Sequence, residues 1–421
     1  MIKLCFEKSI IILIYLAFVV ITLAFSTETQ NLILAKEIIG GSILLLICLL
    51  FIAYKIEFNI EYENNFILHY PFIFLIVSII ITTIITDFKY RSALWLSHYL
   101  TIIISVYAMI FLIEKFKDFY LIFKTINITT IIAGVYAVLQ NFNCDFFVDW
   151  GMSPVPLTST FGCCCGVRLY FLTFLPIIII SILYAKSKND CFLSVLALIS
   201  AIGASVNEYQ IPSLKSFLYS VIIFFIYVFV YKESRLIKLK PRFFYPISFI
   251  IIIVLLFASV FTYEIKSFDY PSFKVRKIIW KGAANGIRDK PLLGHGIGTF
   301  QIYFPYNRAS NYHRYGVSHN TMWAQNDIIE TFHDIGIIGA SFYFLCLALA
   351  IFSLLQIMLK TEERKIYYSA SLFILSIIGF YSISMHKVQS KWFYGVYYFW
   401  FIIGLSQIWL KSVMQTNQND F

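Results

Sequence analysis

The sequence predicts an all-α, polytopic integral membrane protein of about twelve transmembrane helices with one large external loop. Three observations predict it. Of 421 residues, 60% are hydrophobic and only 13% charged, whereas a soluble domain carries about 25% charge. The apolar residues recur in runs close to the ~20 residues that a spanning helix needs. Late in the chain those runs are interrupted by a polar, basic stretch from about 264 to 335.

The runs fall at roughly 9–25, 38–54, 66–86, 93–113, 119–139, 169–185, 191–206, 214–231, 243–263, 336–359, 366–385 and 392–410. In lipid each must be a helix, because nothing else short of a closed barrel satisfies the backbone. Their wealth of isoleucine is therefore no strand signal. Lys3 and Lys8 precede an apolar run from Ile10 to Phe25. That run is long for a signal peptide and is taken as the first span, uncleaved. The 43 Phe and 29 Tyr include many rings suited to the headgroup zone, where Tyr and Trp have one dry end and one wet end. Cys163, Cys164 and Cys165 read as small apolar residues at a helix mouth, since the eight Cys show no paired metal spacing.

With the N-terminus inside, the inner connections hold Lys55, Lys115 and Lys117, Lys186 and Lys188, a cluster from Lys232 to Arg242, and Lys360, Arg364 and Lys365. The short outer connections hold fewer cations, among them Lys36, Lys89, Arg91, Arg168 and Lys215. This bias places both termini in the cytoplasm. It also accounts for most of the net charge of +10 without nucleic acid as a partner. Long loops are exempt from the charge rule, so the basic content of 264–335 needs another explanation.

Within that loop, Ser272 to Asp289 reads as an external helix stopped by Pro291. At about 100° per residue, Lys277, Lys281 and Arg288 share a cationic stripe. Arg276 falls instead on an apolar strip with Trp280, Ala283 and Ile287. A guanidinium there needs an anion or an aromatic face to offset lost hydration. The forked donors of Arg suit a phosphate. The stripe is suited equally to lipid headgroups or solvent. Gly294, Gly296 and Gly298 let backbone approach a ligand or another helix; the spacing is not a dinucleotide fingerprint. Phe300, Tyr303, Phe304 and Tyr306 form an aromatic cluster before Arg308, fit either to stack on sugar or to anchor the loop. His295, His313, His319 and His333 concentrate here. Imidazole is the side chain best suited to take a hydroxyl proton near neutral pH. His319 leads a polar run through Asn320, Gln325, Asp327 and Glu330. No ligand spacing in it suits a metal, and no cofactor is expected.

These segments together resemble the O-antigen ligase and O-antigen polymerase superfamily. The matching features are Arg276 with Trp280, Asp289 with Pro291, the Gly294/Gly296/Gly298/Phe300 run, Phe304-Pro305-Tyr306 with Arg308, and Gly336 with Gly339. Upstream, Val135 to Phe142 and Ser159 to Pro176 also look like family segments. On this resemblance the chain divides into N-terminal helices (1–134), a ligase-like core (135–345) and C-terminal helices (346–421). The resemblance implies a GT-C-like, metal-independent membrane glycosyltransferase of the bacterial inner membrane with a periplasmic active site. The donor it implies is an undecaprenyl-pyrophosphate-linked glycan. The acceptor is lipid A-core for a ligase, or a second lipid-linked glycan for a polymerase. Arg276 would hold pyrophosphate, helped by Lys215, Arg308, Arg168 and Arg288. Trp280, Tyr306 and Asn320 would contact sugar.

Two departures stand out. The family's Ala-His-Asn-Asp register falls on Ala324-Gln325-Asn326-Asp327, so Gln325 occupies the His position and His319 lies six residues earlier. Either His319 is the base, or Gln325 orients the acceptor without one. Where the family has Ser-Arg, this chain reads Ser213-Leu214-Lys215. A flippase or other transporter without chemistry is the competing class. It would place ionisable groups within the spans and show repeated halves, whereas most charges here lie outside the runs.

Overall fold

A computed structural model describes residues 2–27, 33–58, 67–116, 120–148, 158–162, 164–205, 271–308, 312, 321–384 and 393–419. The regular structure among them is helical throughout. α1 (Ile2–Leu23) leads through a π-type turn at Lys36–Gly40 into α2 (Gly41–Glu57). There follow α3 (His69–Ile85), α4 (Lys89–Phe116), α5 (Tyr120–Asn141), α6 (Cys164–Leu183) and α7 (Lys188–Ser205). The later helices are α8 (Pro271–Asp289), α9 (Phe300–Asn307), α10 (Asp327–Lys360), α11 (Arg364–Ser384) and α12 (Phe393–Asn419).

Each expected run inside the described residues falls on one of these helices, while 214–231 and 243–263 lie outside the described residues. Seven of the helices are long and apolar enough to cross a membrane, and apolar His69–Ile85 is shorter. The expected external helix at 272–289 appears as α8.

The centre of the bundle is α12. Its Phe393–Met414 window is wholly buried, enclosed by α1, α3, α4, α6, α10 and α11. Here the expectation of a headgroup belt fails for many rings. Tyr170, Tyr367, Tyr394, Tyr398, Trp400 and Trp409 are among the largest fully buried side chains. Polar tips make this tolerable where they find partners inside. Tyr170 OH lies 3.0 Å from Thr130 Oγ1, Tyr398 OH donates to Thr22 Oγ1 at 3.2 Å, and Trp409 Nε1 donates to Tyr184 OH at 3.0 Å.

The connections grouped by the charge count gather at opposite ends. At one end Lys36 Nζ donates to the carbonyls of Ile21 (2.9 Å) and Thr22 (2.6 Å), capping α1. Thr160 Oγ1 donates to the same Thr22 carbonyl at 2.7 Å. Gln140, at the end of α5, receives the amides of Thr158 and Ser159 on its Oε1 at 3.0 and 2.7 Å. At the other end lysines lie over rings: Lys55 over Phe111 at 3.6 Å, Lys365 over Tyr184 at 4.0 Å and Lys186 over Tyr120 at 5.2 Å.

Candidate functional site

The segment from α8 to the start of α10 packs at the first of these ends. One face of α8 is buried. Ile279 and Ala283 join Phe300, Phe304, Tyr312 and Ala324 in an apolar cluster apart from the bundle core, with Trp280 packed at its edge. Arg276 lies on this face, 8% exposed, while Lys277, Lys281 and Arg288 are exposed. The helix thus separates its cations as the angular argument requires. Gly282 and Gly286, one turn apart, bring the neighbours close. A side chain at Gly282 would meet Phe304 at 2.8 Å and the backbone of Arg308 at 3.2 Å; one at Gly286 would meet the His333 ring at 2.9 Å.

α10 is broken at Gly336, whose φ of +63° and ψ of −173° fall in a region essentially reserved for Gly. The break leaves amides at the head of the spanning part without intrahelical partners. Residues 290–299 supply partners: Ile337 N donates to Pro291 O (2.9 Å) and Ile338 N to Leu292 O (3.2 Å). In return His295 N donates to His333 O (2.9 Å) and Gly296 N to Asp334 O (2.8 Å). Any side chain at Gly336 would collide with the Leu292 carbonyl, and one at Gly298 with the Trp95 ring. The Gly-x-Gly-x-Gly run therefore serves approach to other parts of the protein, α4 and α10.

Asp334, fully buried, fastens this seam. Its Oδ2 accepts Gly298 N at 2.9 Å and its Oδ1 accepts His333 Nδ1 at 3.1 Å. His333 stacks on His295, ring centroids 4.6 Å apart. His295 Nε2 donates to Gly286 O at 2.8 Å, tying the loop to α8. Burial, and then the neighbouring His333, hold the His295 imidazole below its ordinary range. At the outer edge Tyr303 OH donates to Asp87 at 2.8 Å, and Lys290 pairs with Asp87 at 3.6 Å. Those two contacts keep the Asp87 carboxyl below its usual range. Arg91 Nε donates to Gly298 O at 3.4 Å. Of the four loop histidines, His295 and His333 are thus structural.

The turn entering α10 holds Gln325 at φ +57°, a left-handed conformation uncommon outside Gly, Asn and Asp. Asn326 then caps the helix, its side chain accepting Ile329 N at 3.1 Å. Glu330 Oε2 accepts Ala324 N at 2.8 Å. Glu330 and Asp327 are both buried. Trp323 meets Trp95 of α4 edge-on at 5.6 Å.

The expected site residues separate accordingly. Arg276, Trp280 and Gln325 belong to the packed α8–α10 unit. Arg308 ends α9, its guanidinium 5.9 Å over Tyr312. Tyr306 is 79% exposed, whereas Phe300 and Phe304 are core. Arg288 lies on a different face of α8 from Arg276. Arg168 is half-buried early in α6, which packs on α5, α7 and α11, whereas α8 packs on α9 and α10. Lys215, His313, His319 and Asn320 lie outside the described residues. Among the described residues no group of three His, Cys, Asp or Glu is placed to hold a metal ion. Sequence reasoning missed Asp334, Gly282 and Gly286. The spacing of the two glycines on the Arg276 helix was a readable sign of close packing.

Residues 211–344 match the family model described as O-antigen ligase. This stretch is an O-antigen ligase family domain. It contains the whole α8–α9–α10 joint, with Lys215, Arg276, Arg308, His319 and Gln325, and excludes Arg168. A search of curated proteins with the whole chain found no match. The apolar helices around the O-antigen ligase domain make the chain an integral membrane protein, and the family implies lipid-linked glycans as substrates.

Proposed function

We propose that the chain transfers a glycan from undecaprenyl pyrophosphate to lipid A-core at the periplasmic face of the inner membrane, as an O-antigen ligase with both termini cytoplasmic. The observation that carries this reading is Arg276, a guanidinium held on the buried face of α8 inside the family domain. Pyrophosphate is already a good leaving group. What it needs is fixed positive charge where negative charge grows, and an oriented acceptor hydroxyl. Arg276 supplies the forked donor, with Lys215 and Arg308 as further cations. Direct displacement inverts the anomeric carbon and asks for no metal. The seam at 290–299 supports the scheme by fastening α8 to the turn that carries Gln325. His319, six residues before that turn, is the base; Gln325 orients the acceptor.

The glycan of a deletion strain tests the reading. Bare core is the ligase result; core bearing a single repeat unit would reassign the chain as a polymerase. Arg276→Ala should lower transfer by at least ~10²-fold, the scale of removing one charge-stabilising donor, with insertion unchanged. Arg276→Lys should recover little, because the fork is lost. Normal glycan from the Ala variant removes Arg276 from the site.

For the base, His319→Ala should cost ~10²–10⁴-fold and Gln325→Ala much less. Gln325→His should rescue His319→Ala. The reverse order of severity would mean that no His base operates.

A further inference from the structure

At the end of the bundle away from the 290–299 seam, α2, α3 and α4 leave a lateral groove of about 740 Å³, within the ~300–1,000 Å³ of small-molecule sites. Its polarity is graded. Lys55, His69 and Tyr107 gather at one end. Tyr107 OH lies 3.3 Å from His69 Nδ1, and Lys55 Nζ lies over Phe111, one helical turn beyond Tyr107. Ile73, Ile76, Ile103 and Ile104 make the rest of the wall, and Ile73 is open to the side, 42% exposed.

This gradient selects a ligand class. A small polar solute would leave the isoleucines wetted. A neutral hydrocarbon would leave an ammonium, shut from solvent at its Nζ, facing an apolar filling, which is costly. An anionic head on a long chain suits both ends, and lysines near helix ends characteristically meet lipid phosphate. We propose that the groove binds one anionic phospholipid of the bilayer, its phosphate at Lys55 and one acyl chain along the isoleucines. Phe72, which also lines the groove, packs edge-on against Trp400 of α12 at 5.2 Å. The bound chain therefore supports the central helix from the side. This site is separate from the α8–α10 joint and does not depend on the transfer reading.

The test uses the full chain in detergent, titrated with phosphatidylglycerol or phosphatidylcholine of matched chains. Native mass spectrometry counts the adducts. Wild type should retain one phosphatidylglycerol roughly fivefold better than phosphatidylcholine, the scale of one Lys–anion contact at a membrane surface. Lys55→Gln should erase the preference, and Lys55→Arg should keep it. Ile76→Trp, which fills the chain end, should reduce retention of both lipids. Equal retention by wild type, or a preference that survives in Lys55→Gln, overturns the proposal. Should Lys55→Gln not fold, the pair Lys55→Arg and Ile76→Trp decides: undiminished binding by Ile76→Trp overturns the groove as the site.

Discussion

The two ends of the bundle handle charge in opposite ways. At the end away from the joint, Lys55, Lys186 and Lys365 spread over aromatic faces, an arrangement that any cation and any ring can make. At the joint end, Lys36, Glu330 and Asp334 are buried and bonded to backbone. There the charges complete helix ends and a break that would otherwise leave amides or carbonyls bare. The first kind of charge marks topology by its number. The second kind is local, and each residue has one task.

That contrast can be broken most sharply at the glycines. Gly336→Ala combines a Gly-only conformation with a backbone collision and should cost about 3–4 kcal/mol. Gly41→Ala, which meets only the Phe393 ring at 3.8 Å, should be neutral or stabilising by up to about 1 kcal/mol. Thermal unfolding of the purified variants compares them; equal midpoints would mean that the seam is not under the constraint described. Next in size, Asp334→Asn weakens two buried acceptor contacts and should cost about 2–3 kcal/mol. Lys365→Gln, at the opposite end, should cost less than about 1 kcal/mol. A larger loss for Lys365 would reverse the contrast.

The smallest effect is a pH dependence. His295 has a folded-state pKa below its ordinary 6.5, so the unfolded chain binds the proton more readily. The stability it contributes is complete above about 6.5 and is lost as pH falls from there toward the folded pKa. Melting temperatures between about pH 7 and pH 5.5 should decline more steeply in wild type than in His295→Gln. Parallel slopes would remove His295 from the account.

Much of this was legible in the sequence, for identifiable reasons. Spanning helices are dictated by the solvent, so composition and run length suffice. The inward Arg276 and outward Lys277, Lys281 and Arg288 followed from helix angle alone. The same angle also separates Arg288 from Arg276, which weakens its assignment to the same phosphate. The glycine run was readable as a close approach, but its partners, Trp95 and the break at Gly336, are distant in sequence and declare nothing locally. Asp334 was unreadable because its role comes from the amide of Gly298, and amides leave no trace in the amino-acid code. The buried tyrosines defied the headgroup expectation because their partners, such as Thr22 and Thr130, lie on other helices.

The position of α12 has a consequence for biogenesis. It is central, yet it emerges after all the other described helices. Until it arrives, Tyr170 and Phe174, which pack on Tyr398 at 5.3 Å, lack the surface they were shaped to meet. So does Tyr343, which meets Trp400 at 5.7 Å. The earlier helices must wait in the bilayer as a loose, unfilled ring while the ribosome completes the chain at about 5–20 residues per second. Closure is then one late event. A chain stopped before Phe393 would present the insertion and quality-control machinery with a bundle whose lining is intact and whose middle is missing.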